Sequence, residues 1–104
     1  MKKIFKYPIP VTDYFSVPTD DKFVISMPNY AKILCVQLQK EKPYIWALVD
    51  DEEKLRNRHF RIVGTGELIL ESEDQLDFVD YIGTIQMLDG SLVWHLFDFY
   101  YDED

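Results

Sequence analysis

The amino-acid sequence predicts a mainly β protein, a small single-domain antiparallel β-sandwich or open barrel of six to seven short strands. Two observations indicate this fold class. Short apolar or alternating runs are separated by turns rich in Pro, Gly and Asp, which is typical of short strands. No segment keeps helical periodicity over the length of a stable helix. Because 104 residues support one core, we expect one domain over residues 1–104.

Seven segments carry the strand pattern. In chain order they are residues 2–7, 22–26, 32–39, 44–49, 58–63, 80–88 and 91–99. The segment 44–49 is apolar on both faces, as expected of a central strand. In the segment 58–63, alternation places His59 and Arg61 on one face and Arg58 on the other.

Turn residues predict two hairpins. Asp89-Gly90 tolerates the positive φ angles of a type I′ turn, so residues 80–88 and 91–99 should pair. The charged residues 40–43 predict a second hairpin. Gly83 lies inside a predicted strand, and we expect a bulky neighbour such as Trp46 or Trp94 to lie across its backbone.

Charge is distributed unevenly along the chain. The net charge is −8, but residues 1–61 hold all 11 basic residues with 8 acidic ones, whereas residues 62–104 hold 11 acidic residues and no Lys or Arg. The acidic half disfavours duplex nucleic acid as a partner. No apolar run reaches the roughly 20 residues of a membrane-spanning helix, and the N-terminus does not resemble a signal peptide.

The most unusual local feature is the basic segment 54–61, which holds all three arginines and one of the two histidines. Arginine forks bind phosphate or carboxylate bidentately. We therefore consider an anion or nucleotide site formed by Arg58, His59 and Arg61 beside Thr65, with Trp46 or Trp94 against the base. The alternative is that the arginines pair with carboxylates of residues 50–53 or of the acidic second half.

The remaining chemical groups predict neither an enzyme nor a cofactor. Gly64-Thr65-Gly66 lacks the third glycine of a dinucleotide fingerprint and the Walker lysine, so it is read as the end of a strand. Cys35 lies in an apolar run, which is typical of a small buried side chain. His95 is expected to be a satisfied core or interface histidine. No His, Cys, Asp or Glu spacing predicts a metal site.

Five segments together resemble a family of small phage and prophage proteins of unknown function. They are KYP at 6–8, MPNYAKILCVQLQ at 27–39, WALVD at 46–50, FRIVGTG at 60–66 and YIGTIQMLDGSLVWHLF at 81–97. The resemblance covers nearly the whole chain except 11–26 and 67–80, and brings no known ligand or catalytic residue. It implies an accessory protein of a bacteriophage that acts in the cytoplasm of the infected bacterial host.

Two functional hypotheses follow. The first is a non-enzymatic, homo-oligomeric protein that counters host antiviral defence by sequestering a phosphate-bearing, nucleotide-derived immune signal. The second is an acidic inhibitor whose second half and aromatic tail, residues 100–104, cover a basic surface on a host protein. The sixteen aromatic residues of this small chain favour an exposed aromatic face in either case.

Overall fold

The structure, a computed structural model, describes residues 1–10, 22–66, 79–87 and 89–99. This part of the chain forms seven strands, which are β1 (Lys2–Pro8), β2 (Lys22–Pro28), β3 (Lys32–Gln39), β4 (Lys42–Asp50), β5 (Leu55–Gly64), β6 (Val79–Met87) and β7 (Leu92–Phe99). All neighbouring strands are antiparallel. One sheet has the order β1-β4-β3 and the other β2-β5-β7-β6. The predicted small β-sandwich is therefore confirmed.

The core lies between the two sheets. From the three-stranded sheet, Ile45, Ala47 and Val49 of the central strand β4 are fully buried, while Tyr44, Trp46 and Leu48 alternate with them on the outer face. From the four-stranded sheet, Phe60 and Ile62 of β5 and Trp94 and Leu96 of β7 are buried. Period-two alternation thus produces the apolar layer that holds the sheets together.

The sheets meet along strands β3 and β6, which belong to different sheets and pack on each other. A Cβ atom built on Gly83 of β6 would lie 2.8 Å from Cγ1 of Val36 in β3. The expectation that a tryptophan crosses Gly83 was therefore wrong. The close neighbour is the β-branched Val36, because the glycine lets an edge strand of the opposite sheet approach.

Both strands of this seam carry a β-bulge near their start. The register of β3 with β4 shifts between Ile33 and Cys35, and that of β6 with β7 shifts between Tyr81 and Gly83. The extra residue is Leu34 in β3 and Ile82 in β6. A bulge bends and twists its strand, so both strands change direction just before they meet at Val36 and Gly83.

Both predicted hairpins are confirmed. Asp89 and Gly90 have φ angles of 55° and 87°, and Met87 pairs with Leu92 on either side of them. The second turn is formed by Lys40 and Glu41, at φ 50° and 67°, while Pro43 already belongs to β4. Strand β5 begins at Leu55, three residues before the predicted start, and this extension brings Arg56 onto the strand.

Candidate functional site

A cavity of about 330 Å³ lies where β5 begins and β2 ends. Its charged side chains are Arg56 and Arg58, His59 also lines it, and no carboxylate stands among the described residues that line it. The described residues that line it are Met27, Pro28, Asn29, Tyr30, Ala31, Arg56, Asn57, Arg58, His59 and Phe99. In a protein of net charge −8, this is a local site of positive charge with amide and aromatic groups at its wall.

Strand alternation positions the two arginines of this cavity. Arg56 and Arg58 are two residues apart on β5, so their side chains leave the same face of the sheet as the buried Phe60. Arg58 is opposite Ile25 and Arg56 is opposite Met27 in β2. The inner face of the sheet is therefore apolar at Phe60 and becomes cationic toward its end, where the cavity lies.

Arg58 is held by a buried carboxylate. Its Nη2 donates to Oδ2 of Asp98 at 2.7 Å and its Nε donates to Oδ1 at 3.3 Å, a bidentate pair with a side chain of Asp98 that is only 6% exposed. Arg58 Nη1 also donates to the carbonyl oxygen of Ala31 at 2.7 Å. Since a guanidinium has five N–H donors, two remain for a ligand.

This pairing matches the alternative weighed for the arginines, because Asp98 lies in the acidic second half of the chain. The ion pair removes most of the net charge of Arg58 and fixes the orientation of its guanidinium. Arg56 is exposed, and its positive charge has no carboxylate beside it among the described residues of the cavity wall. An anion would thus meet one oriented fork and one exposed cation.

Tyr30 stands at the mouth of the cavity in a strained backbone conformation. It is 82% exposed and has a φ of 65°, in the left-handed region that disfavours residues with a Cβ. The amide of Ala31 donates to the carbonyl of Pro28 at 3.3 Å, which closes a turn with Tyr30 at its third position. That position normally takes Gly or Asn.

The turn around Tyr30 is tied down by its neighbour Asn29. The backbone amide of Tyr30 donates to Oδ1 of Asn29 at 3.1 Å, and the amide of Asn29 donates to the carbonyl of Lys54 at 2.8 Å. The surroundings therefore hold the backbone of Tyr30 in an unfavourable conformation, and its exposed side chain lies at the same cavity as two arginines. Strain of this kind concentrates at binding sites.

The other predicted anion ligands lie on the opposite face of β5. His59 and Arg61 share the outer face, as the alternation predicted, and only His59 lines the cavity. The guanidinium carbon of Arg61 lies 5.2 Å from the ring centre of Phe99, a cation–π contact. The structure thus separates Arg61 from Arg58, although they are three residues apart.

Thr65 belongs to a separate hydrogen-bonded chain. Its Oγ1 lies 2.7 Å from Nε2 of His95, whose Nδ1 lies 2.9 Å from Oγ1 of Thr84. Thr84 Oγ1 lies 2.5 Å from Oη of Tyr81. Both ring nitrogens of His95 therefore have a hydroxyl partner, which satisfies the histidine as expected and ties the end of β5 to β6 and β7.

Neither predicted tryptophan lines the cavity. Trp94 is 2% exposed and belongs to the core, where it offers no ring face to a ligand. Trp46 lies on the outer face of the three-stranded sheet, with its ring centre 5.9 Å from that of Tyr44. The aromatic side chain that the structure brings to the arginines is instead Tyr30.

Sequence reasoning missed Arg56, Asn57 and Tyr30 as cavity residues. Arg56 could have been found from its two-residue spacing to Arg58, had the strand been extended to Leu55. Pro28-Asn29 is a turn signal, and it could have predicted that Tyr30 lies in the turn between β2 and β3. Its position beside β5 depends on the pairing of β2 with β5 and could not be read from the sequence.

Several expectations fall outside the described residues. The hypothesis of a protein-binding inhibitor rests on the acidic second half and on the tail 100–104. The tail and residues 67–78 of the acidic half lie outside the described residues. Within the described ranges, no three or more His, Cys, Asp or Glu side chains are grouped to hold a metal ion. The described part also contains no helix that could cross a membrane.

Comparison with known proteins places the chain in a family. A family model described as a domain of unknown function, DUF7352, matches residues 1–103. A search of curated proteins and a search of solved structures each returned no match.

Proposed function

The chain belongs to the DUF7352 family, and we propose that it is a non-enzymatic binding protein that sequesters a phosphate-bearing, nucleotide-like ligand. One observation carries the proposal. The cavity of about 330 Å³ combines an oriented Arg58, an exposed Arg56 and an exposed Tyr30, with no carboxylate among its described lining residues.

The geometry supplies the two contacts that such a ligand needs. A phosphate takes charge-assisted hydrogen bonds from Arg56 and from the two remaining N–H groups of Arg58. A base stacks on the ring of Tyr30, whose face is open to solvent. The strong negative charge of the whole chain repels long polyanions but leaves a small anion free to enter a local positive site.

The biological setting in this proposal comes from the resemblance to small phage and prophage proteins. In that setting the protein works in the cytoplasm of an infected bacterium, and the ligand is a nucleotide-derived immune signal of the host. Sequestration without turnover needs no catalytic group. The proposal includes a homo-oligomer, which the sixteen aromatic residues of the small chain favour.

The test is isothermal titration calorimetry with inorganic pyrophosphate and with the four ribonucleoside monophosphates. Arg56→Glu should weaken binding about 10- to 100-fold, since it removes a charged hydrogen-bond donor and adds a repelling charge. Lys54→Glu is the matched control. It makes the same charge change at an exposed residue two positions away that does not line the cavity.

Equal losses in the two variants would mean that only the overall charge matters, and the cavity would be discarded as the site. Binding of none of the probes would also remove the proposal. A chain shortened by residues 100–104 separates it from the inhibitor hypothesis. The sequestering protein keeps its nucleotide affinity without the tail, whereas an inhibitor loses its protein partner.

A further inference from the structure

A second cavity, of about 570 Å³, lies next to the first one. It opens between the starts of β3 and β6, where the two bulges turn the strands before they meet at Val36 and Gly83. Tyr30, Ala31 and Arg58 line both cavities. Arg58 therefore lies between two adjoining compartments, with its partner Asp98 on the side of the second.

The two compartments differ in charge. All charged groups on the described wall of the first cavity are cationic, whereas the second contains Lys32 and Arg58 together with Asp80 and Asp98. The second cavity is thus balanced in charge. It also has the aromatic residue Tyr30 in its wall, and this residue is 82% exposed. A balanced, aromatic compartment suits a neutral planar ring rather than a phosphate.

One carboxylate of the second cavity is available to a ligand. Asp80 of β6 is directly opposite Asp98 of β7 in the sheet, and like charges at such positions repel each other. Both oxygens of Asp98 accept hydrogen bonds from Arg58. Asp80 is exposed, so its carboxylate can accept hydrogen bonds from a group that enters the compartment.

An ionised carboxylate only accepts hydrogen bonds, which restricts the base that it can recognise. The Watson–Crick edge of guanine presents two adjacent donors, N1–H and the 2-amino group, to the two carboxylate oxygens. Adenine presents a single donor beside an acceptor nitrogen, which would face the negative charge. A carboxylate in the position of Asp80 would therefore favour guanine over adenine.

We propose that the ligand is a guanine nucleotide that occupies both compartments, with phosphate against Arg56 and Arg58 and the guanine against Tyr30 and Asp80. This inference rests on the proposed function, because it assigns the base of the same ligand. Tyr30 lines both compartments. The bound nucleotide would therefore lie across Tyr30, with its base in one compartment and its phosphate in the other.

The test compares GMP, AMP and inorganic pyrophosphate by calorimetry on the wild type, Asp80→Asn and Asp89→Asn. The wild type should bind GMP about 10-fold more tightly than AMP, the discrimination expected of one bidentate charged contact. Asp80→Asn should abolish this preference and leave the pyrophosphate affinity unchanged. Asp89→Asn makes the same substitution at an exposed turn residue and should change neither.

Misfolding cannot imitate the expected result. Asp80→Asn relieves the repulsion between Asp80 and Asp98, so its thermal midpoint should equal or exceed that of the wild type. Equal affinity for GMP and AMP in the wild type, or a preference that survives in Asp80→Asn, would overturn the guanine assignment. If pyrophosphate then still binds through Arg56, the proposed function is supported and only the guanine assignment is wrong. If no phosphate-bearing probe binds, both proposals are wrong.

Discussion

The seam between β3 and β6 is closed at one end and open at the other, and the two ends are held by different forces. At the closed end, Gly83 lies so close to Val36 that a Cβ atom has no room. At the open end, the bulges at Leu34 and Ile82 direct the strands apart and a cavity of about 570 Å³ forms. Shape alone holds the closed end. At the open end, Arg58, paired with Asp98 of its own sheet, donates a hydrogen bond to the carbonyl oxygen of Ala31 just before β3.

This difference explains how a small sandwich can contain a site. A protein of this size cannot leave a large apolar cavity at its centre without losing much of its core. The open end instead lines its space with hydrogen-bonded and charged groups, which tolerate water and would suit the proposed ligand. Three predictions test this division, and a fourth, with the smallest expected effect, concerns the remote N-terminus.

Breaking the ion pair should affect stability most. Asp98→Ala leaves Arg58, whose side chain is 27% exposed, without its carboxylate, and we expect a loss of about 3 kcal/mol in the free energy of unfolding. Denaturant unfolding measures this loss. The double variant Arg58→Met/Asp98→Leu should recover most of it, because two apolar groups need no pairing. A double variant as unstable as Asp98→Ala would contradict the assigned role of the pair.

The closed end should respond to a single methyl group. Gly83→Ala places a Cβ at 2.8 Å from Val36 Cγ1, and the stiff β-branched side chain cannot move aside. We expect a loss of about 1–3 kcal/mol, typical of overpacking. In a double-mutant cycle, Val36→Ala should relieve part of this loss. Additive effects of the two substitutions would show that they do not meet.

At the strained turn of the open end, one substitution should raise the stability of the protein and weaken its binding of nucleotide. Tyr30→Gly relieves a left-handed conformation at an exposed residue, with an expected gain of up to about 1 kcal/mol after the entropy of glycine is counted. Lys40→Gly makes a comparable change at φ 50° in the distant hairpin and should give a similar gain. Only Tyr30→Gly should also weaken nucleotide binding. Equal binding in the two variants would remove Tyr30 from the site.

The smallest effect is expected from the exposed N-terminus, which is remote from the seam. Hydrogen bonds from the Met1 amino group to Asp50 and then Asp51 raise its pKa from 8.0 to about 10. Its contribution to stability is therefore complete below pH 8 and is lost as the pH rises through 10. The pKa of Asp50 is lowered mainly by the same contact, so the stabilisation is also lost in acid, as the pH falls through this lowered pKa.

Thermal unfolding between pH 7 and pH 10.5 measures this contribution. The wild type should lose slightly more stability over this range than Asp51→Asn, in which the amino group has lost one partner at 3.1 Å. High salt should reduce the difference, because the charges are at the surface. Asp89→Asn serves as the control and should follow the wild type.

Local patterns were sufficient for the strands and the turns. The alternation of Phe60 and Ile62 with His59 and Arg61 correctly predicted the two faces of β5, because side-chain direction in a strand depends only on position along the chain. Asp89-Gly90 correctly predicted its hairpin for the same reason, since a turn is a local conformational preference.

The candidate site was predicted only in part. Arg58 and His59 line the cavity, but Trp94 is in the core and Trp46 is on the far face of the other sheet. An aromatic residue suits a core and a ligand surface equally well, so the sequence could not distinguish these places. Asp98 looked like one acid among many, and its partnership with Arg58 spans 40 residues of sequence.

The sequence by itself thus determined the β class, the segments that form strands, and the charge and aromatic groups available to a site. These properties follow from preferences that act over a few residues. Only the tertiary structure decided that Arg58 pairs with Asp98, that Val36 meets Gly83, and that Tyr30 and Asp80 border adjoining cavities. The order β2-β5-β7-β6 and the packing of β3 on β6 place these residues together, and such pairings depend on how two sheets bury their apolar faces against each other.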